Sequence, residues 1–177
     1  MDHLCLDYVN SSWYITHKLF YDPLQNSEWM AKLTKKWLCA SLPAPSEAEL
    51  KELFDVRISL SGILDKATWG KAPDEEDIKL LNGYMSKVSY HMQLQYGTEG
   101  LRLLEISANP DWTWFMAEAA ASLARLLASE AAGKLKKCQN PECGWFFIDE
   151  SKSGNRKWCD DTCATLMKVR RFREKHR

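Results

Sequence analysis

Residues 138–163 read CQNPECGWFFIDESKSGNRKWCDDTC, and this stretch decides how the C-terminal part of the chain folds. It holds four of the six cysteines as two pairs, Cys138-x4-Cys143 and Cys159-x3-Cys163. Thiolates are soft ligands that suit a tetrahedral metal site, and two closely spaced pairs supply all four corners. The segment is too short to bury a core of its own. Metal binding would therefore supply much of its folding free energy.

Zinc is the metal that this donor set favours, and an iron–sulfur cluster is the alternative. Four cysteines leave no open coordination position, so we expect a structural rather than a catalytic ion. Pairing as disulfides needs an oxidising compartment, to which nothing in the sequence points. Cys5 and Cys39 stand alone in apolar stretches, and we interpret them as ordinary core thiols.

The residues between the cysteine pairs predict a hairpin. Residues 145–148 are apolar and predict a strand, residues 153–155 predict a turn, and residues 156–158 return the chain to the second pair. That pair begins a helix, whose first turn holds Asp160 and Asp161. A metal loop, a hairpin and a helix that donates the last ligands form the layout of a treble-clef-like finger.

The charge of the chain is unevenly distributed although its net value is zero. Residues 134–177 hold twelve lysines and arginines against six acidic residues, a net charge of +6, so residues 1–133 carry −6. This shift, together with the cysteines, predicts two domains, 1–133 and 134–177. A basic segment on an acidic body is a reason to consider DNA as a partner.

The basic charge is concentrated in the last ten residues, KVRRFREKHR. At helical spacing one face holds Thr165, Val169, Phe172 and His176. We expect this apolar strip to dock on the finger while the flanking cations contact phosphates. The alternative is a solvated helix end whose cations suit the helix dipole. The residues predicted to bind nucleic acid are Arg156, Lys157, Lys168, Arg170, Arg171, Arg173, Lys175 and Arg177.

The body reads mainly as helices. Ser27 is a plausible N-cap of one helix, and Ser46 with Glu49 forms a capping box for the next. Residues 109–111 open what we expect to be the longest helix, which Gly133 closes.

A β-hairpin is predicted from residues 90–96 and 101–106, where apolar and polar residues alternate around a glycine-containing turn. The predicted fold is therefore mainly α with a small β-hairpin: a helical N-terminal domain, then a treble-clef-like four-cysteine finger with a C-terminal helix. Asp7 and Asn10 are unusual in a mostly apolar opening. They either cap a turn or make a polar contact in a pocket of the body.

The 177 residues are 45% apolar and 27% charged, a globular composition that excludes a disordered or low-complexity chain. The absence of an 18-residue apolar run and of a leader pattern predicts a cytoplasmic protein without a membrane partner. The four histidines are scattered, and motifs for phosphate loops or hydrolytic nucleophiles are missing. We therefore expect a protein that is not an enzyme.

Residues 138–159 resemble the CGNR zinc finger family, whose pattern is C-x4-C-G-W-x-F-x-D-x-S-x4-R-x-W-C. In bacterial members this finger usually follows a domain called ABATE, which often begins with L-x-L-D-F-V-N. Residues 4–10, LCLDYVN, are similar to that signature. The resemblance thus touches both ends of the chain.

The resemblance implies a zinc-containing, DNA-binding transcription regulator, sometimes described as stress-induced. Its metal ligands would be Cys138, Cys143, Cys159 and Cys163. The chain departs from the family in one place: the Cys-Gly-Asn-Arg that names the family is replaced by Cys163-Ala164-Thr165-Leu166. The second cysteine pair is also one residue shorter than usual. The missing asparagine and arginine are polar groups suited to touching nucleic acid.

Two functions from different classes follow. In the first, the chain is a regulator whose finger binds DNA while the body senses a small-molecule effector or forms a homodimer. In the second, it is a protein-interaction module with a purely structural zinc site and no nucleic-acid binding. The charge segregation favours the first, and the lost Gly-Asn-Arg favours the second.

Overall fold

The computed structural model describes residues 3–17, 20–97 and 100–176. The fold is mainly α with small β-sheets, as predicted. Two short 3-10 helices lie at Pro23–Gln25 and Glu130–Lys134. No helix in these ranges is both long and apolar enough to cross a membrane. The helices are α1 (Leu4–Asn10), α2 (Trp13–His17), α3 (Ser27–Leu38), α4 (Glu47–Thr68), α5 (Glu75–Met85), α6 (Trp112–Leu127) and α7 (Asp161–Lys175). The strands are β1 (Tyr90–Gly97), β2 (Gly100–Ser107), β3 (Leu135–Lys137) and β4 (Phe146–Ile148).

The predicted capping box at the start of α4 is confirmed. The Ser46 hydroxyl accepts a hydrogen bond from the Glu49 amide at 3.3 Å, and the Glu49 carboxylate accepts one from the Ser46 amide at 2.7 Å. The predicted cap of α3 is wrong by one position. Asn26 is the residue with an extended backbone, and its side-chain oxygen accepts from the Trp29 amide at 2.9 Å.

The helix expected to open at residues 109–111 and to close at Gly133 is shorter than predicted. It begins where expected, with Asp111 as the N-cap that accepts from the Trp114 amide at 2.8 Å, but α6 ends at Leu127. Ser129 is extended and accepts from the Ala131 amide, so it starts a separate 3-10 turn instead of continuing α6. The longest helix is α4, with 22 residues.

The core of the body lies where α1, α4 and α6 meet. The rings of Tyr8 on α1 and Phe115 on α6 pack edge to face, with centroids 5.1 Å apart. The Tyr8 hydroxyl donates to the Leu53 carbonyl of α4, so this buried polar group is satisfied. Buried alanines on α6, among them Ala119 and Ala120, leave room for α1 to approach closely. The short first helix is thereby held against the two longest helices of the body.

The β3–β4 hairpin attaches the cysteine-containing segment to this core. Leu135 pairs with Ile148 and Lys137 with Phe146, and the side chains of Leu135 and Phe146 lie in the core cluster of the body. β4 was expected to pair with residues 156–158, which form no strand here. β3 takes that place because it leads directly into the cysteine loop, across which the Cys138 amide donates to the Trp145 carbonyl at 2.8 Å.

Asn10 joins α1 to β4 through both ends of its side-chain amide. Its nitrogen donates to the Phe146 carbonyl at 2.9 Å, and its oxygen accepts from the Phe146 amide at 2.8 Å. Asp7, one turn earlier, accepts from the Lys36 ammonium at 2.7 Å and from the Trp37 indole at 2.9 Å. These residues were expected either to cap a turn or to make a polar contact in the body. The structure shows polar contacts with other parts of the chain. Those of Asn10 are buried.

Replacing Asn10 by alanine leaves the buried amide and carbonyl of Phe146 without partners. We expect a loss of about 2–3 kcal/mol in the free energy of unfolding, since each unsatisfied buried group costs about 1–3 kcal/mol. Urea unfolding followed by tryptophan fluorescence measures this loss. Asn82→Ala, at an exposed position of α5, is the control and should change stability by about 0.5 kcal/mol or less. Equal effects of the two substitutions would contradict the role given to Asn10.

Candidate metal centre

The four paired cysteines come together in space. Cys138 follows β3, Cys143 ends the loop before β4, Cys159 precedes α7, and Cys163 lies in the first turn of α7. Their sulfur atoms all lie within 4.8 Å of one another. The Sγ–Sγ distances are 3.6 Å from Cys143 to Cys159 and 3.7 Å from Cys159 to Cys163. Four free thiols in this arrangement form a closed donor set for one metal ion.

The loop between the first two cysteines is organised by a buried asparagine. The Asn140 carbonyl accepts from the Cys143 amide at 2.9 Å, and its side-chain oxygen accepts from the Glu142 amide at 3.3 Å. Its side-chain nitrogen donates to the Cys163 sulfur at 3.4 Å. Gly144 follows with a φ of 68°, a conformation that favours glycine. Asn140 therefore both shapes the loop and supports a ligand from the other pair.

The second pair is positioned by the start of α7, as predicted. Asp160 is the N-cap, and its carboxylate accepts from the Cys163 amide at 2.8 Å. The Gln139 amide donates to the Lys157 carbonyl at 2.9 Å and so ties the first loop to the chain entering the second pair.

Asp149 holds the long turn between β4 and the second pair. Its carboxylate accepts from the Lys136 ammonium at 2.6 Å, the Ser151 hydroxyl at 2.6 Å and the Arg156 amide at 2.8 Å. The side chain is 1% exposed. The hydrogen bonds from Lys136 and Ser151 hold the pKa of this carboxyl well below its usual range. Asp149 thus closes the turn as a buried, ionised hub.

Two of the four thiols have a raised pKa, whereas at Cys138 burial is outweighed by hydrogen bonds with the backbone of Asn140 and Cys159, which lower the pKa. Burial raises the pKa of Cys143 to about 12, and burial with the neighbouring thiols also raises the pKa of Cys159. Such thiols stay protonated at neutral pH unless a positive charge lies between them. Metal binding therefore releases protons as it forms the site.

The two remaining cysteines differ from each other. Cys5 is buried, which raises its pKa to about 11, and it fits the predicted role of a core thiol. Cys39 is exposed at the end of α3, with a φ of 52°, so its assignment as a core thiol is wrong. Neither residue belongs to the cluster.

Of the cations predicted to bind nucleic acid, Arg156 is engaged inside the finger. Its guanidinium donates to the Trp158 carbonyl at 2.8 Å and to the Cys159 carbonyl, and it lies 5.0 Å from the Phe147 ring centroid. These bonds support the approach to the second cysteine pair. Lys157, next to it, is exposed.

The other predicted cations lie on α7. Arg170 is ion-paired with Glu142, and the Arg171 guanidinium lies 5.8 Å from the Trp158 ring centroid. Arg177 lies outside the described residues. The exposed members of the set are Lys168, Arg171, Arg173 and Lys175.

The apolar strip of α7 does not dock on the finger, contrary to expectation. Of the predicted strip, Thr165 and His176 are exposed, and Val169 and Phe172 are 41% and 61% exposed. The neighbouring Leu166 is also 41% exposed. The rings of Phe172 and His176 stack with their centroids 4.1 Å apart. Among the described residues of α7, Cys163 alone is buried. Two apolar side chains of the finger, Leu135 and Phe146, are buried in the core of the body and are therefore not available to the helix.

The fold and the site together define a helical body that carries a four-cysteine, zinc-finger-type module. Residues 2–130 match the ABATE family, described as "Putative stress-induced transcription regulator", and residues 134–176 match the CGNR zinc finger. The chain belongs to the ABATE family, and its C-terminal segment is a CGNR zinc finger. The resemblance seen in the sequence is thereby confirmed. No curated protein matches the chain.

Cys143→Ser removes one corner of the cluster and should abolish tight metal binding, because three thiolates hold the ion far less firmly than four. Cys39→Ser removes an exposed thiol outside the cluster and is the matched control. Elemental mass spectrometry after chelator treatment and desalting should find about one ion per chain in the parent and the control. Retention of a full equivalent by Cys143→Ser would refute this ligand set.

Asp149→Asn tests the buried hub and its pH dependence. Since the carboxyl pKa is lowered by folding, ionised Asp149 stabilises the finger fully above about pH 5, and this contribution is lost as pH falls through the folded pKa. We expect a lower melting temperature for the variant at pH 7. In the parent, the NMR signal of the Asp149 carboxyl carbon should still be that of a carboxylate at about pH 3.9, where a free aspartate is half protonated. A midpoint at or above about pH 3.9 would contradict the assigned hydrogen bonds.

Proposed function

We propose that the cluster binds one zinc ion and that the chain is a DNA-binding transcription regulator. Zinc is supported by the all-sulfur donors and by the sulfur spacing. The distances of 3.6 and 3.7 Å are close to the edge of about 3.8 Å of a tetrahedron with Zn–S bonds of about 2.3 Å. Sulfurs this close surround a single ion and leave no room for a cluster of several irons. The site is closed, so the zinc would be structural. That the chain is not an enzyme stays a prediction.

The observation that carries the DNA proposal is the exposed basic surface of α7. The helix starts at the metal centre, which fixes its orientation on the finger. Lys168, Arg171 and Lys175 recur at helical spacing on one flank and are exposed. Such a row of cations suits the phosphate backbone of DNA, which supplies sequence-independent and salt-sensitive affinity.

The replacement of Gly-Asn-Arg by Ala164-Thr165-Leu166 affects which DNA bases this surface can recognise. The exposed residues in that segment are Thr165 and Leu166, which offer base edges one hydroxyl and an apolar group. Base readout by arginine or asparagine side chains is therefore lost at these positions. We propose that phosphate contacts dominate, so that affinity depends on salt more than on sequence.

Fluorescence anisotropy of the zinc-loaded chain with a mixed-sequence duplex, at several salt concentrations, tests the proposal. Changing Lys168, Arg171 and Lys175 together to alanine should weaken binding at least about tenfold. It should also flatten the slope of log K against log salt by about 2–3, since each phosphate contact contributes about 0.9.

The matched control removes the same number of charges from the body, with Lys35, Lys51 and Lys79 changed to alanine. All three are exposed on α3, α4 and α5, and this variant should bind like the parent. An equal loss of DNA affinity in both variants would show that net charge, and not the surface of α7, determines binding. No binding of the parent at low salt would overturn the DNA proposal.

A protein-interaction module without DNA binding is the second candidate. The observation that favours it is the exposed strip of Leu166, Val169 and Phe172, since apolar groups at helical spacing fit a groove on another protein. Parent protein that fails to bind DNA, together with intact zinc content, would favour this candidate.

An effector of the body stays a prediction. The described residues offer it a cavity of about 330 Å³ between the end of α3, β2 and α6. Trp37 and Trp114 contribute to its walls, with the carboxylates of Glu105 and Glu118. The buried indole nitrogen of Trp114 has no hydrogen-bond partner within the described ranges, and a bound polar group could satisfy it.

A further inference from the structure

The β1–β2 hairpin extends from the body as an arm. The two strands pair antiparallel over all eight residues, from Tyr90 opposite Ser107 to Gly97 opposite Gly100. On one face of β1 the exposed fraction rises from 37% at Tyr90 to 90% at Tyr96, so this face is increasingly open to solvent toward the tip. On the other face, Gln95 lines the cavity beside the end of α3 and α6.

One face of this arm is apolar. Side chains of paired strands alternate between the two faces, so residues opposite each other share a face. Leu94 lies opposite Leu103, and Tyr96 lies opposite Leu101. With Met92, these residues form the apolar face of the arm, and their exposed fractions run from 56% to 90%. The other face holds the exposed polar residues His91, Gln93, Gln95 and Arg102, together with the half-buried Ile106 near the base.

This face is a large apolar patch for the surface of a single chain. Five large side chains, each more than half exposed, present about 600 Å² of contiguous surface, the upper end of what single-chain proteins leave uncovered. A two-stranded hairpin is at best marginally stable alone, and a partner on its apolar face would stabilise it. Both observations indicate a surface that is covered in the assembled protein.

We propose that a second copy of this chain covers the apolar face, with two arms packed face to face about a two-fold axis. An isologous contact needs a patch that complements itself, and five uncharged apolar residues meet this condition. Two such faces bury about 1,200 Å² in total, the lower end of stable specific interfaces.

The chemistry of the face does not suit DNA as its partner. DNA needs cations, and none of the five residues carries a charge. Glu105 lies opposite Met92 and pairs with Arg125 of α6 at 3.4 Å, so the apolar face ends in an ion pair on the side toward the base. Polar groups at the edge of an apolar centre are typical of protein–protein interfaces.

The dimer is related to the proposed function, because it would join two fingers and so raise the affinity for DNA. The evidence for the dimer, however, comes from the arm alone. The arm belongs to the N-terminal segment of the chain and shares no residue with the metal centre or α7. A dimer that fails to bind DNA would therefore refute the function and keep the inference, and a DNA-binding monomer would do the reverse.

Light scattering of the zinc-loaded full chain during size-exclusion chromatography, loaded at about 100 µM, measures the assembly. We expect a mass twice the 20.4 kDa of the chain. The double variant Leu94→Glu, Leu103→Glu places two like charges on the apolar face and should run as a monomer. Gln93→Glu, Gln95→Glu adds the same charge to the opposite face and should remain dimeric.

The single variant Tyr96→Lys, at the most exposed position of the arm, keeps the test valid if the double variant is misfolded. It should weaken dimerisation at least about tenfold, with an unchanged far-ultraviolet circular dichroism spectrum. The variant Phe172→Glu tests whether the arm instead docks on α7 of another copy. A dimer formed by two arms does not involve Phe172, so this variant should keep the mass of a dimer. Three results would overturn the proposal: a monomeric parent, dimeric Leu94→Glu, Leu103→Glu protein, or a dimer lost in Phe172→Glu.

Discussion

The convergence of four cysteine sulfurs within 4.8 Å is the constraint on which the C-terminal quarter of the molecule depends. The cluster joins the end of β3, the loop before β4 and the first turn of α7, segments that share little apolar contact. Around it, the packed residues are the cysteines themselves and a few aromatic side chains such as Trp145 and Trp158. A module with so small a core takes its folding free energy from the ion, and the direction in which α7 leaves the finger follows from the metal site.

The finger is nevertheless not an independent appendage. Leu135 and Phe146, on the hairpin that frames the cysteine loop, are buried in the same core as Tyr8 and Phe115 of the body. Asn10 adds two buried hydrogen bonds to β4. Because residues in direct contact are energetically coupled, a disturbance of α1 reaches the metal site through one strand. In a regulator this is the physical route by which an event in the body would alter the finger.

Local signals predicted much of this arrangement from the sequence. The cysteine spacing identified all four members of the cluster, and the alternation of residues predicted the β1–β2 hairpin. The Ser46–Glu49 capping box was visible because it involves residues three apart. Two details were not predicted. β4 pairs with β3, which leads directly into the cysteine loop, and not with residues 156–158. The guanidinium of Arg156, although exposed, donates to the carbonyls of Trp158 and Cys159. The periodicity of the sequence does not indicate either contact.

Asn10 shows how far the sequence alone can indicate a long-range contact. Its presence in an apolar stretch marked it as unusual, but its partner lies 136 positions away, beyond the reach of local pattern. The exposed strip of α7 was misjudged for the opposite reason. Helical spacing correctly grouped Val169 and Phe172 on one face, yet spacing does not tell whether a neighbouring surface remains free to cover them.

X-ray absorption at the zinc K edge of the purified chain tests the four-thiolate centre most directly. We predict four sulfur neighbours at about 2.3 Å and no lighter donor. Nitrogen or oxygen atoms in the coordination shell, fewer than four sulfurs, or a chain that binds no zinc once its cysteines are reduced would contradict it.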